Sequence, residues 1–358
     1  MADTIQEVLE AFAKGELVVV TDDDDREGEG DLIVAASLCT PEKMAFIIRH
    51  TSGIVCAPIT PDEARRLRLD PMVAHNESNH TTAFTVSIDY KPDGGTGISA
   101  EERASCCRAL ANPNVGANDF ARPGHIFPLI ARDGGVLLRS GHTEAAVDLC
   151  KLAGLPPVGV ISELMNDDGT VMKGAQVARF AAAHKLKHVT IADMIAYRQA
   201  REKLIERVST FVIDSPIGPL QGYAYRSPFD SIAHAAFVYN GVGDGKNVLA
   251  RLHKPNIVKD LFTGPERTQL VLQHFKKAGR GVLVYLRDGA AGVPVVPMGE
   301  PQSAEADRHK LWREVGVGAQ ILRDLGITSI VNLTSSVHEY KGLSGYGIEI
   351  VSNKRLEG

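Results

Sequence analysis

Between the valine-rich segment Leu17–Val20 and the apolar run Leu32–Ala36 stands Asp-Asp-Asp-Asp-Arg-Glu-Gly-Glu-Gly-Asp, residues 22–31. Both flanking segments read as strands, so the acids are expected to share one strand-to-strand turn. Clustered carboxylates repel one another at neutral pH. A fold holds them together when a cation, an arginine or a polyhydroxylated ligand compensates. A solvated loop is the ordinary explanation of a charge run. Two features favour a ligand site instead: Gly28 and Gly30 permit positive φ or close ligand approach, and Arg26 stands alone inside the acids. The spacing does not fit an EF-hand loop.

A chain of 358 residues exceeds one ordinary core and predicts two domains. With 44% hydrophobic and 23% charged residues it reads as a soluble globular protein. The net charge of −5 argues against a nucleic-acid partner, whose footprint would be basic. No apolar run reaches the roughly 18 residues of a membrane span. Ile5, Val8, Leu9 and Phe12 recur at helical spacing, so the N-terminus is expected to be an amphipathic helix rather than a signal peptide, and the cytoplasm is the expected location. The five cysteines, at 39, 56, 106, 107 and 150, form no C-x-x-C pair and fit a reducing compartment. All five precede residue 151, so the second half cannot build a thiolate zinc site.

Strand-like and helix-like segments alternate, which predicts an α/β (α+β) chain. In the first half, strands are expected at Ser52–Ile59, Thr82–Ile88 and Val158–Ser162. Helices are expected to start at Thr60-Pro61, at the Ser99–Glu102 capping box, at Gly141–Glu144 and at Lys173, with a long one from Ile191 to about Ile205. That last helix sets the predicted boundary, giving domains 1–205 and 206–358. The second half restarts with strands at Arg207–Ile213, Leu220–Arg226, Ala233–Tyr239, Val248–His253, Gly281–Leu286 and Ile327–Leu333, and helices at Glu266–Ala278 and Leu311–Leu325. Residues 289–306, rich in Gly, Pro and Ala, read as a mobile loop.

Four segments of the first half carry the side chains of interest. The acid turn supplies Arg26, Glu27, Glu29 and Asp31. Arg122-Pro-Gly-His125 places a histidine after an expected Pro-Gly turn. Arg139-Ser140-Gly141-His142-Thr143 opens a helix, where first-turn amides, a hydroxyl and a fork-shaped cation can cradle a phosphate; plain capping beside a surface arginine explains it equally well. Glu163 ends a strand, where ligand sites of α/β proteins collect, though a surface acid is the commoner case. His125 and His142 suit acid–base work or metal ligation, whereas the other histidines read as structural. Dinucleotide and P-loop fingerprints are absent.

In this order the segments resemble 3,4-dihydroxy-2-butanone 4-phosphate synthase over about residues 5–204. The resemblance rests on D-D-x-D-R-E-x-E-G-D at 22–31, R-H-T-S-G-I-V-C at 49–56, T-G-I-S-A at 96–100, R-P-G-H-I-F-P-L at 122–129, G-G-V-L-x-R-x-G-H-T-E-A at 134–145 and E-L-M-N-D-D-G-T at 163–170. It implies a mixed-sheet, sandwich-like synthase domain, usually a homodimer. That domain would convert ribulose 5-phosphate into a four-carbon phosphate precursor of riboflavin, releasing formate with the help of Mg²⁺ or Mn²⁺, in one or two ions. Position by position, it implies that Glu27 and His142 ligate the metal and that Arg26, Asp31, Arg139 and Thr143 hold the sugar phosphate, with Ser140 and Gly141 in the cradle. His125 and Glu163 would be essential to catalysis, and Cys56 would lie near the sugar. Which of Glu163, His125 or an acid-turn carboxylate such as Glu29 takes the first proton stays open.

The second half resembles GTP cyclohydrolase II as a smaller α/β domain, through V-L-A-R-L-H at 248–253, G-R-G-V-L-V-Y at 279–285 and Q-I-L-R-D-L-G-I at 320–327. Asn256 stands where the family's first zinc cysteine would be, Leu261–Thr268 holds no C-x-C pair, and D-G-A-A-G follows Arg287. No zinc is expected, and an inert second domain is predicted. The alternatives are a bifunctional enzyme that also hydrolyses GTP and a non-catalytic sugar-phosphate or nucleotide sensor.

Overall fold

The computed structural model describes residues 3–22, 27–77, 82–203, 205–227, 230–253, 255, 265–287, 316–334 and 348–356. They divide into two compact units, Met1–Tyr197 and Arg198–Gly358. The units part inside the last turn of the helix Ile191–Arg201, whereas the sequence puts the boundary at 205/206.

The first unit is built on one seven-stranded mixed sheet. Its strands are β1 (Val18–Thr21), β2 (Gly30–Ala35), β3 (Cys56–Ile59), β4 (Ile88–Tyr90), β5 (Phe120–Ile130), β6 (Gly159–Glu163) and β7 (Lys187–Thr190), in spatial order β4-β5-β3-β6-β2-β1-β7. Its helices are α1 (Ile5–Ala13), α2 (Pro41–His50), α3 (Pro61–Arg66), α4 (Ala100–Leu110), α5 (His142–Leu152), α6 (Ala175–His184) and α7 (Ile191–Arg201). Side chains alternate across a strand, so both faces of β1 and β2 are apolar and both are covered. Val19, Leu32 and Val34 pack with residues of α2, α4 and α6. Val18, Val20, Ile33 and Ala35 pack with residues of α1, α5 and α7 on the other face. Thr4, Thr40, Thr60 and Ser99 accept hydrogen bonds from first-turn amides of α1 to α4 and fix where those helices begin.

The second unit holds another seven-stranded mixed sheet: β8 (Glu206–Ile213), β9 (Leu220–Ser227), β10 (Asp230–Tyr239), β11 (Val248–His253), β12 (Gly281–Tyr285), β13 (Ser329–Thr334) and β14 (Glu349–Arg355), in order β14-β13-β11-β12-β10-β9-β8. Helix α8 spans Pro265–Ala278, and a further helix covers 316–324.

Several expectations change. The strand expected from Ser52 begins only at Cys56, because Gly53 adopts φ +74° and interrupts the extended path. Residues 84 and 85 make isolated bridges only, and the strand there is Ile88–Tyr90. Arg122–His125 is not a turn. It lies within β5, where Gly124 crosses the backbone of Ile88 so closely that an added Cβ would sit 2.1 Å from its carbonyl carbon. Strands β5, β7 and β14 are additional to those expected. The proposed loop 289–306 lies outside the described residues.

Candidate active site

The acid turn is closed by its own backbone. Asp22 N–H donates to the Glu29 carbonyl at 3.3 Å, and Glu29 N–H donates to Asp22 Oδ1 at 2.9 Å. Lys173 holds the outer limb, with Nζ 2.7 Å from the Glu27 carbonyl and 3.2 Å from Glu29 Oε1. Arg26, expected to grip the sugar phosphate, lies outside the described residues.

Asp22, Glu27 and His142 each turn a ligand atom toward the others, all within 4.8 Å. Asp22 and His142 are buried, and Glu27 is half-buried. Glu27 and His142 are the metal ligands implied by the sequence resemblance; Asp22 is an addition, the first aspartate of the run, which a count of acids could not single out. His142 Nε2 lies 3.1 Å from the Val20 carbonyl, which can only accept, so Nε2 carries a proton and Nδ1 is the nitrogen that a neutral ring would offer to a metal. A histidine that ligates a metal commonly gives its other N–H to a carbonyl in this way.

Asp31, 3% exposed, sits directly opposite Glu163 across the β2–β6 ladder. Burial first, then the negative charges of Glu163, Glu27, Asp22 and Glu29, push its carboxyl well above the usual range. Its Oδ1 has no hydrogen-bond partner among the described residues, and His142 Nδ1 is 3.7 Å away. Two carboxylates and one imidazole beside an orphaned carboxyl oxygen fit a dication that keeps several waters and open positions for substrate oxygens. One nitrogen donor suits Mn²⁺ as well as Mg²⁺.

Next to this group is the start of α5. Arg139 Nη1 lies 2.6 Å from Glu144 Oε2, and Nη2 donates to Thr82 Oγ1 at 3.1 Å. Glu144, 1% exposed on its side chain, also accepts from Arg132 N–H at 2.9 Å through Oε1. Gly141 lets the guanidinium lie across the helix start, since an added Cβ would come 2.4 Å from Arg139 Nη1. Ser140 and Thr143 are buried beside it. First-turn amides have no acceptor inside a helix, so this cluster can receive an anionic oxygen.

Glu163 accepts from Ser52 Oγ at 2.8 Å. Cys56 is buried in the same core face, and burial first, then Glu163 and Asp31, push its thiol up, so it is a neutral wall rather than a nucleophile. His125 is not brought to this group within the chain. Strand β5 is separated from β2 by β3 and β6, three strand spacings or roughly 14 Å. There Asp89 takes both the backbone N–H and Nδ1 of His125, each at 2.8 Å, leaving Nε2 as an acceptor. Asp89 and Glu144 are orienting acids that sequence reasoning missed. Glu144 stands inside a quoted motif, whereas Asp89 carries no local signal.

Residues 6–197 match the family model of 3,4-dihydroxy-2-butanone 4-phosphate synthase. The chain belongs to this family. Residues 206–355 match the family model of GTP cyclohydrolase II. The bifunctional riboflavin biosynthesis protein RIBA 1 of Arabidopsis thaliana is 45% identical over 99% of this chain and 69% of its own length. The monofunctional riboflavin biosynthesis protein RIBA 2 of the same plant is 42% identical over 97% of this chain and 75% of its own. Among solved structures, RibBX of A. baumannii, a two-domain 3,4-dihydroxy-2-butanone 4-phosphate synthase, superposes with TM-score 0.79 at 34% identity, covering 97% of this chain and 99% of that one. A synthase complexed with two magnesium ions superposes with TM-score 0.55 at 48% identity, over 56% of this chain and 98% of that one. The chain is thus a riboflavin biosynthesis protein with a synthase domain. No helix among the described residues is long and apolar enough to cross a membrane.

Proposed function

We infer that the first unit converts ribulose 5-phosphate to 3,4-dihydroxy-2-butanone 4-phosphate and formate at the Asp22–Glu27–His142 group. The observation that carries this reading is the approach of those three side chains to within 4.8 Å in a chain of the synthase family. Mg²⁺ or Mn²⁺ held there would supply charge stabilisation to oxygens next to the reacting carbons. Arg139, fixed by Glu144 and Thr82, and the first-turn amides of α5 bind the phosphate. Asp31, on the same face beside them, is assigned to the sugar hydroxyls. Glu163 and Glu29 are the groups of this cluster able to move protons during enolisation and loss of the C1 hydroxyl; the Asp89-oriented His125 would join them only from a second copy of the chain. Formate release assayed for wild type, Glu27→Ala and His142→Ala, with and without EDTA, tests the assignment. Loss in both variants and in EDTA is expected, and full activity in Glu27→Ala refutes the metal site.

The second unit is read as a degenerate cyclohydrolase scaffold that does not open GTP. Support comes from residues 151–358, which contain no cysteine to hold a thiolate-bound zinc. The bifunctional relative favours the contrary reading, and RibBX, a two-domain 3,4-dihydroxy-2-butanone 4-phosphate synthase, this reading. GTP turnover with added zinc decides between them. A homodimer and a cytoplasmic location complete the proposal, the former measurable by light scattering on the purified chain.

A further inference from the structure

We propose that Ser52, together with Ser162, is a positioning residue that holds Glu163 in place whether Glu163 carries a proton or not. The proposal rests on the catalytic role given to Glu163 above.

The segment 51–54 wraps the end of β6. Ser52 N–H donates to the Glu163 carbonyl at 2.9 Å, and Ser52 Oγ lies 2.8 Å from Glu163 Oε2. Ile54 N–H donates to Ser52 Oγ at 3.3 Å, Ser162 Oγ donates to the Ile54 carbonyl at 3.0 Å, and the two hydroxyls are 3.3 Å apart. Arg103, a buried side chain of α4, donates from Nη1 to the Gly53 carbonyl at 3.2 Å and anchors the segment from behind.

Each serine has one hydroxyl hydrogen to place. The Ile54 carbonyl takes that of Ser162, so Ser162 Oγ faces Ser52 as an acceptor. With Glu163 ionised, the Ser52 hydrogen goes to Oε2, the shorter and charge-assisted choice. With Glu163 protonated, its O–H donates to Ser52 Oγ, and the Ser52 hydrogen turns to Ser162 Oγ. Both protonation states are satisfied by rotating one hydroxyl, with no side chain moving. A group that must accept and later return a proton needs this. In this proposal Ser52 acts through Glu163, so its loss lowers turnover rather than affinity.

The test uses the full chain with Mg²⁺ and follows formate release in Ser52→Ala, Ser52→Thr, Ser162→Ala, Glu163→Gln and the Ser52→Ala/Glu163→Gln double variant. Ser52→Ala is expected to lower kcat about tenfold, the scale of one hydrogen bond to a carboxylate, with KM within twofold. Ser52→Thr is expected to restore at least half of kcat, Ser162→Ala to show a smaller fall than Ser52→Ala, and the double variant to be no worse than Glu163→Gln. A kcat fall of less than threefold in Ser52→Ala, or an equal additional fall in the Glu163→Gln background, overturns the proposal. If Glu163→Gln alone keeps wild-type activity, the role of Glu163 fails instead. Melting temperatures of Ser52→Ala and wild type within about 2 °C exclude misfolding as the cause.

Discussion

Replacing Asp31 with asparagine should stabilise the metal-free first unit while impairing it as an enzyme. Asp31 is 3% exposed, its Oδ1 lacks a hydrogen-bond partner among the described residues, and it faces Glu163 directly across the strand pair. Burying an ionised carboxylate without a partner costs about 1–3 kcal/mol or more, and an uncharged amide in the same place avoids the part due to the charge. A like-charged pair directly opposite on neighbouring strands adds at most about 1 kcal/mol. Taking about 2 kcal/mol as the relief, and ~2–4 °C per kcal/mol for a unit of this size, the Asn variant should melt about 4–8 °C higher in EDTA. The pH dependence has a definite sign. The folded carboxyl titrates above its unfolded value of ~3.9, so its penalty is absent in acid, grows as pH rises towards the folded value, and the advantage of Asn should shrink towards pH 4. Saturating magnesium, at about a hundredfold over Kd, adds ~2.7 kcal/mol to the wild type. The variant, with one negative charge fewer at the cluster, should gain less. Calorimetry of the full chain reads this from the magnesium-sensitive transition. An Asn variant that melts at or below wild type in EDTA refutes the claim that the acid cluster is a strained, ligand-requiring arrangement.

Glu144→Gln removes the buried counter-charge of Arg139 while keeping an acceptor for Arg132 N–H, so KM for the sugar phosphate should rise about tenfold, the scale of a single charge-assisted bond, with kcat little changed; an unchanged KM in steady-state formate assays refutes the cradle. Asp89→Asn replaces an acceptor-only partner of His125 with an amide able to donate, so kcat/KM should fall about a hundredfold, and a fall below threefold removes His125 from the proton-moving groups. In the second unit, burial opposes ionisation of Asp324, but hydrogen bonds from Arg207 and the Tyr225 hydroxyl outweigh it and hold its carboxyl below the usual range. That contribution is complete above ~3.9 and lost as pH falls through the lower folded value. Asp324→Asn should therefore lower the second unit's melting temperature at pH 7 by about 2–4 °C, for about 1 kcal/mol from a partly exposed pair, and flatten its acid limb.

Elements with both a capping residue and a periodic apolar face were legible from the sequence. The Ser99–Glu102 capping box opens α4, and Ile5, Val8, Leu9 and Phe12 define α1. The errors have local causes. Gly53 looked tolerable inside an apolar strand, yet its positive φ makes residues 52–55 the segment that grips Glu163. Pro123-Gly124 looked like a turn, but Gly124 is there for the close crossing with Ile88. Strands β7 and β14, Lys187–Thr190 and Glu349–Arg355, hold too few apolar residues to announce themselves. Asp89 and Glu144 escaped notice because an orienting acid is recognised only from the partner it faces.

The position of the site follows from strand parity. On β1, Val18 and Val20 pack on the α5 side of the sheet, so Asp22, continuing the same alternation through its backbone bond to Glu29, points the same way. On β2, Ile33 and Ala35 lie on that side, which places Asp31 there too. On β6, Ile161 does the same for Glu163, and on β3 Cys56 is itself part of that core face. The β1–β2 hairpin and the distant strands β3 and β6 therefore deliver these residues to the face whose helix begins with His142. A slip of one residue in the β1–β2 or β2–β6 register would turn Asp22 or Asp31 towards the opposite core, with a whole row of valines and isoleucines exchanged with them. The apolar pattern that folds the sheet is thus also what assembles the acids, and their mutual repulsion is sustained by the burial of the side chains two and four residues away.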